Sequence, residues 1–141
     1  MDINELLAPA VLRLINDHAA VGDLLDEIRT VKGPRKSTGK NNPCFTAHVP
    51  SNSRDETSKV HRGTLRINFH CDNYKSGNAN IELMGPVTDS VITLFDDKVF
   101  TIDGYRNFAL YVREAVGPLF DSEHPDEHYM SIRLKFVLIK L

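Results

Sequence analysis

The segment 64–95 places the strongest constraint on what this chain can fold into. Residues 64–71 alternate between polar and apolar side chains, and a period of two is typical of a strand with one buried face. After a polar turn over 72–78, apolar residues recur at helical spacing and predict a helix over 78–95. Gly85-Pro86 interrupts this pattern, so we expect a kinked or two-part helix. A strand joined to a helix by a short turn predicts a sheet covered by a helical layer.

A second helix is predicted at the start of the chain, over 2–16. Its apolar side chains form one stripe at spacings of three and four residues. Asp2 and Glu5 fit a capping box, and Pro9 lies inside the pattern, so the helix either starts late or is kinked. A further short helical segment is predicted over 23–29. We expect the apolar stripe to pack against the sheet rather than to dock in a partner's groove.

The remaining regular segments are predicted as strands. They are a short strand over 44–49 between two prolines, a short strand over 99–102, a bulged strand over 108–120 and a long alternating strand over 129–141. The third is preferred to a helix because it contains a Gly-Pro pair. Since 121–128 is a polar turn, the last two strands should form a hairpin. The predicted class is therefore α+β, a mixed and mostly antiparallel sheet packed by an N-terminal helix and a central helix.

Alternation also predicts which side chains form the core. The inward positions of the central and C-terminal strands should be buried beneath the apolar stripes of the two helices. The strand residues concerned are Ile67, Phe69, Leu134 and Phe136, and the helix residues are Leu7, Val11, Leu14, Val87 and Val91.

Length and composition restrict the classes of protein to which the chain can belong. A chain of 141 residues with 41% hydrophobic and 26% charged residues predicts a single domain over 1–141 with a sizeable core. A net charge of -2 gives no global field that would recruit nucleic acid or a membrane. Cys44 and Cys71 are too few for a disulfide scaffold, and no apolar run approaches the roughly 20 residues of a membrane span. Because the chain opens with Asp2 and Glu5 rather than with a basic region, we expect no signal peptide and assembly in the cytoplasm.

Two polar segments are predicted as mobile loops, one near 30–42 and one near 51–61. The first contains two glycines, a proline and four cations, which are Lys32, Arg35, Lys36 and Lys40. These four cations are the candidate partner-contact residues, through a phosphate or an acidic neighbour. The simpler interpretation is a solvated loop, since no aromatic residue interleaves to stack bases.

One short motif points to metal chemistry. Residues 124–128 read His-Pro-Asp-Glu-His and fit the H-x-x-E-H pattern, in which two histidines on one helical face hold zinc and the glutamate acts as general base. Here the motif lies in a predicted turn and contains a proline. Residues 129–141 also contain no Asp or Glu that could serve as the further acidic ligand. We therefore expect a plain acidic turn, with no catalytic residue, metal or cofactor.

Other enzyme signatures are weak. His70 and Cys71 are neighbours on a predicted strand, so they point to opposite faces and do not form a nucleophile pair. Neither G-x-G-x-x-G nor G-x-x-x-x-G-K-[ST] occurs in the sequence. An enzyme is therefore the weaker class of function.

The order of elements resembles that of a family of virion proteins. An apolar N-terminal helix leads to the Asp-Leu-Leu-Asp-Glu-Ile-Arg segment 23–29 and to the loop rich in Gly, Pro and Lys. A proline-started strand (Pro43-Cys44-Phe45), a polar excursion, the strand 62–71, the helix 78–95 and a C-terminal hairpin follow. This order is similar to that of the tail-completion or tail-terminator proteins of long-tailed bacteriophages, which belong to the head–tail joining machinery. The chain departs from it in its Gly85-Pro86 pair and its long final strands.

The resemblance implies a structural protein of the virion, located in the tail or neck and assembled in the host cytoplasm. Such a protein forms a homo-oligomeric ring, usually a hexamer, that caps the tail tube, stops its polymerisation and joins the tail to the head. Its partners would be other copies of the chain, the tail tube protein, a head-completion or neck protein and DNA in the lumen, but no membrane. If the strand 129–141 were an exposed edge, a neighbouring subunit would have to cover it.

Two hypotheses from other classes remain open at this point. The first is a zinc-dependent hydrolase that uses His124 and His128. The second is a small nucleic-acid-binding module that uses the loop over 32–40.

Overall fold

The computed structural model describes residues 3–24, 29–32, 44–55, 60–102 and 105–140. Three helices and six strands follow one another in these ranges. They are α1 (Ile3–Asn16), α2 (Ala19–Leu24), β1 (Arg29–Lys32), β2 (Cys44–Asp55), β3 (Val60–Asp72), α3 (Ile81–Phe95), β4 (Lys98–Ile102), β5 (Tyr105–Phe120) and β6 (Glu127–Lys140). The predicted α+β class is confirmed.

The six strands form one sheet in the order β1-β2-β3-β6-β5-β4. Only the β1–β2 pair is parallel among these strands, and the other four pairs are antiparallel. The C-terminal strand β6 is not an edge of this sheet, so the condition under which a neighbouring subunit would have to cover it does not arise. β6 pairs with β3 without interruption, from Val60 opposite Ile139 to Asp72 opposite Glu127, and it pairs with β5 on its other side. The edges of the described sheet are β1 and β4.

Helix α1 forms where the sequence predicts it. Its stripe at spacings of three and four is buried, with Leu7, Val11 and Ile15 fully enclosed, and Pro9 is accommodated inside the helix. Of the short helix predicted over 23–29, residues 23 and 24 belong to α2, which spans Ala19–Leu24, and Arg29 belongs to β1. Residues 25–28 lie outside the described residues. The Gly22 amide of α2 donates to the carbonyl of His18.

Helix α3 is one continuous helix rather than two parts. It begins after Asn80, whose side-chain oxygen accepts a hydrogen bond from the Leu83 amide at 3.2 Å. Gly85 and Pro86 both lie inside it. Pro86 stands only one turn beyond the first residue, where its missing N–H forgoes a single backbone bond. Tertiary packing outweighs this loss, because five side chains of α3 are buried, namely Met84, Val87, Thr88, Val91 and Phe95.

The core lies between the helices and one face of the sheet. All four predicted strand residues are at most 1% exposed, and so are four of the five predicted helix residues, which confirms the predicted pattern: Ile67, Phe69, Leu134, Phe136, Leu7, Val11, Val87 and Val91. Leu14 is partly buried and packs against this core.

Parts of the two predicted loops belong to strands. Thr30, Val31 and Lys32 belong to β1. The remainder of the first predicted loop, 33–42, and residues 56–59 of the second lie outside the described residues. Residues 51–55 extend β2 and residues 60–61 begin β3. Pro50 does not end β2, because the register with β3 shifts between His48 and Ser51, and such a bulge removes the need for a donor there.

The fold also bears on membrane association. Within the described part of the chain, no helix is long and apolar enough to cross a membrane.

Candidate functional site

The sheet has two unlike faces. Helices α1 and α3 pack on the face that carries Phe69 and Leu134. On the opposite face, here called the open face, polar residues lie side by side across the strands. Arg66 of β3 stands between His48 of β2 and Arg133 of β6. Directly opposed residues of antiparallel strands share a face, so this row extends across the middle of the sheet.

Cations of the open face are held by specific contacts. The Arg66 guanidinium donates from Nη1 to the Ser131 hydroxyl at 2.8 Å. Arg133 Nε lies 3.2 Å from Glu114 Oε1. Partial burial, and then the charge of Arg66, lower the pKa of His48. The face therefore presents positioned charged groups that a partner can contact.

Exposed apolar side chains lie on the same face, on the edge strand β4 and on its neighbour β5. Val99 is 63% exposed, and Tyr111 and Val116 of β5 are each 41% exposed. Val99 lies opposite Ala109, while Tyr111 and Val116 lie opposite Lys135 and Ser131 of β6, so all three side chains belong to the open face. We call Val99, Tyr111 and Val116 the edge strip. Exposed apolar residues beside an unpaired strand edge are typical of a surface that another chain covers.

Two buried titratable side chains and one partly buried one lie together at one end of the open face. His70, Asp121 and Glu127 each offer one ligand atom, and these atoms all lie within 4.8 Å of one another. Glu127 is 2% exposed and His70 is 7% exposed. His70 Nδ1 lies 3.6 Å from Glu127 Oε1, and His70 Nε2 lies 3.2 Å from the Thr46 hydroxyl. We call His70, Asp121 and Glu127 the polar cluster.

The turn over 121–126 positions Asp121 in this cluster. Asp121 Oδ1 accepts the Glu123 amide at 3.0 Å, and its Oδ2 lies 3.1 Å from His124 Nδ1. Burial alone would raise the pKa of Asp121, but these hydrogen bonds and the nearby imidazole lower it below its usual value. The Asn73 amide donates to the carbonyl of Asp126 at 2.8 Å, so the turn is tied to the end of β3.

The H-x-x-E-H residues do not form the zinc-peptidase arrangement. They lie in a turn and the start of β6 rather than on a helix. His124 contacts Asp121, whereas His128 Nδ1 lies 2.6 Å from Asn73 Oδ1. Glu127 and His128 are consecutive on β6, so their side chains point to opposite faces. The geometry that the hydrolase hypothesis requires is therefore not present in these residues.

The predicted separation of His70 and Cys71 is confirmed. Cys71 lies on the helix-packed face and is buried. Burial, and secondarily the Asp72 carboxylate, raise the pKa of its thiol to about 11. A thiol with so high a pKa is almost entirely protonated at neutral pH and is a poor nucleophile.

Of the four predicted partner-contact cations, Lys32 is the last residue of β1. Arg35, Lys36 and Lys40 lie outside the described residues. Sequence reasoning missed the polar cluster altogether, because its three members come from β3, the 121–126 turn and β6. These residues come together because the pairing of β3 with β6 sets Asp72 opposite Glu127 and His70 opposite Tyr129. The sequence alone does not show this register.

Comparisons with known proteins show a shared fold. No protein family matches the chain, and no curated protein matches it. Among solved structures, it is similar to a chain of the virion of the native gene transfer agent (GTA) particle, with a TM-score of 0.61 and 14% sequence identity. The similarity covers 95% of this chain and 93% of the other. Two chains so different in sequence thus share one architecture over nearly their whole lengths.

Proposed function

We propose that this chain is a structural protein of a bacteriophage-type virion, and that it forms a ring that caps the tail tube, stops its polymerisation and joins the tail to the head. The observation that carries the proposal is the shared fold with a virion chain over 95% of this chain. The element order that resembles tail-terminator proteins gives independent support from the sequence. Function does not follow from fold by itself, so the features of the surface have to agree with it.

The sheet is suited to head-to-tail assembly. Its two edges, β1 and β4, lie at opposite ends of one strand order. An interface between two different patches of identical subunits closes into a ring when the rotation between neighbours allows it. Val99 of the edge strip lies on the β4 edge, whereas Tyr111 and Val116 lie on β5 beyond the residues that pair with β4. The three side chains offer apolar area to such a neighbour. We therefore assign the edge strip to the contact with the next copy of the chain.

The test of this assignment is the mass of the protein in solution. Wild-type protein should form a closed oligomer, and the double variant Val99→Asp, Tyr111→Asp should be a monomer with unchanged secondary structure. Phe120→Asp is the matched control, because Phe120 is 61% exposed against 63% for Val99 but lies opposite His128, on the other face. A monomeric wild type at micromolar concentration, or a double variant that still forms the ring, would contradict the proposal.

We assign the predicted loop near 30–42, here called the basic loop, to a contact with a protein or DNA outside the ring. Lys32, Arg35, Lys36 and Lys40 would contact the acidic surface of an adjoining tube or neck protein, or the DNA in the lumen. The sequence predicts a solvated loop here, and surface charges in such a loop contribute little to stability. Replacement of all four by Ser should therefore leave the thermal midpoint nearly unchanged. The same variant should form rings but fail to cap tubes or to join heads.

Two results would count against this role of the loop. If the quadruple Ser variant gives normal tails, the loop is a solvated segment that contacts no partner. Salt-dependent retention of DNA by a monomeric wild type would instead favour a nucleic-acid-binding module.

A further inference from the structure

We propose that α3 of one copy of the chain docks on the open face of the next copy, where it contacts the edge strip and the cations beside it. This inference rests on the proposed function, because it names the surface of the neighbouring subunit that meets the edge strip. The open face and the outward side of α3 have opposite charge. The outward side of α3 also contains a glycine that the described part of the chain does not require.

Cations lie beside the edge strip on the open face. Lys135 of β6 is exposed and lies directly opposite Tyr111. Arg133, two residues earlier on the same strand, lies opposite Arg66 of β3, so these side chains share the open face. Glu114 compensates the charge of Arg133 at 3.2 Å. Arg66 donates to a neutral hydroxyl group, so this contact leaves its charge uncompensated, and Arg66 and Lys135 make this part of the face positive.

The outward side of α3 has the opposite charge. Two of its six exposed residues are acidic, and the helix contains no lysine or arginine. Asp96 and Asp97, which are also exposed, follow its last residue. The six exposed residues, which we call the outer stripe, are Ile81, Glu82, Gly85, Pro86, Asp89 and Thr93. Ile81 is 61% exposed, so the outer stripe offers an apolar contact as well as negative charge.

Gly85 lies in the outer stripe without a reason in the surrounding structure. It is inside a helix, where glycine is less favourable than alanine. A Cβ atom added to Gly85 would meet no atom of the described residues within 4 Å, and Gly85 is not among the glycines with positive φ. Close packing by another chain supplies a reason, because a glycine lets a partner approach the helix backbone.

The two surfaces also match in size. α3 has 15 residues and is about 22 Å long, whereas the 14 residues of β6 extend over about 46 Å, so the open face accepts the whole helix. Glu82 and Asp89 are about 10 Å apart along the helix axis. Arg66 and Lys135 are diagonal neighbours on adjacent strands, about 7–8 Å apart. The long side chains of the two cations cover this difference, so each carboxylate meets one cation.

The positions of the two surfaces favour a second copy as the partner. α3 packs on the other face of the sheet with its outer stripe turned to solvent, so the outer stripe and the open face point in opposite directions. One copy therefore presents its open face to one neighbour and its outer stripe to the other, and such contacts close into a ring when the rotation allows it. Cations also attract DNA, but the exposed apolar side chains of the edge strip match Ile81 rather than a phosphate backbone.

The test reverses one charge on each surface, at exposed positions. Asp89→Lys and Lys135→Glu should each raise the protein concentration at half-assembly by about tenfold or more, because like charges then face each other in every contact of the ring. Asp89 is chosen because Glu82 also contacts Tyr74. Glu123→Lys is the matched control, since Glu123 is an exposed acid in the 121–126 turn, and it should assemble as the wild type does. Analytical ultracentrifugation gives the half-assembly concentrations, and circular dichroism checks the fold.

Two combinations show whether the charges face each other across the contact. The double variant Asp89→Lys, Lys135→Glu should assemble close to the wild-type concentration, because the pair is restored with its signs exchanged. An equimolar mixture of the two single variants should also assemble, with the two kinds of copy alternating. Each contact in that mixture joins opposite charges, although neither variant assembles well by itself.

The inference is overturned if both single variants assemble as the wild type does, or if the double variant assembles more weakly than either of them. It is also overturned if Glu123→Lys weakens assembly as much as Asp89→Lys. Normal assembly of Lys135→Glu with loss of salt-dependent DNA retention would assign the open face to nucleic acid instead. A monomeric wild type would overturn the proposed function together with this inference, whereas a ring that is insensitive to both reversals would overturn this inference alone.

Discussion

Phe69 is the side chain whose removal most directly tests the arrangement of the core. It lies on β3, which has strands on both sides, and it is 0% exposed. Its ring centroid is 4.8 Å from that of Phe45 on β2, at an interplanar angle of 38°. Phe69→Ala removes buried apolar area and leaves a cavity, which together cost about 3–5 kcal/mol in such positions. Loss of the aromatic pair accounts for about 0.5–1.5 kcal/mol of that.

Phe120→Ala is the control for this variant, because it deletes the same atoms from a side chain that is 61% exposed. Its cost should stay below about 1 kcal/mol. Urea unfolding followed by circular dichroism gives both free energies of unfolding, and the Phe69→Ala thermal midpoint should fall by about 10–20 °C. A Phe69→Ala cost below about 1 kcal/mol, or equal costs for the two variants, would show that the faces of β3 are assigned the wrong way round.

Two further predictions concern the helix cap and the pH dependence of stability. Asn80→Ala should lower the free energy of unfolding by about 1 kcal/mol, because it removes the N-cap of α3, and an unchanged urea midpoint would contradict this. The pKa of His48 is lowered in the folded state by partial burial and by Arg66. The contribution of neutral His48 to the free energy of unfolding is therefore complete above about pH 6.5 and is lost as pH falls through the folded pKa. His48→Gln should therefore reduce the loss of stability between about pH 7 and pH 5, and an identical pH profile would refute the assignment.

Periodicity was sufficient to predict the local elements and their inward faces. Strand positions such as Ile67 and Leu134 alternate with polar residues, and helix positions such as Val11 and Val91 recur at spacings of three and four. Both patterns arise because one face of each element meets the core. Burial of all four residues follows from this local rule, which needs no knowledge of how the strands are ordered.

The order of the strands could not be predicted in the same way. Periodicity says which face of β6 is buried but not which strand lies beside it. The pairing of β6 with β3 joins segments separated by more than fifty residues, from Val60 opposite Ile139 to Asp72 opposite Glu127. The extension of β2 beyond Pro50 depends on a register shift in the same way, because only the bulge makes a proline acceptable there.

The polar cluster likewise could not be predicted from sequence periodicity, because it depends on how the strands pair. The sequence motif joined Glu127 to its neighbours along the chain, His124 and His128. Strand alternation separates Glu127 from His128, and the β3–β6 register brings it to His70 instead. Residues that are adjacent in sequence therefore take part in different contacts, and the chemistry of Glu127 is decided by long-range pairing.

Because β6 lies inside the sheet, a contact between copies of the chain has to involve another strand. An unpaired strand edge invites association, and monomeric proteins protect such edges with charge, short length or a covering segment. β4 is short and begins with Lys98, which is exposed, but its Val99 is 63% exposed and lies beside Tyr111 of β5. One lysine does not offset these exposed apolar side chains, so the edge still favours association. We infer that β4 and the edge strip, rather than the C-terminal strand, form the part of the sheet that a neighbouring copy covers.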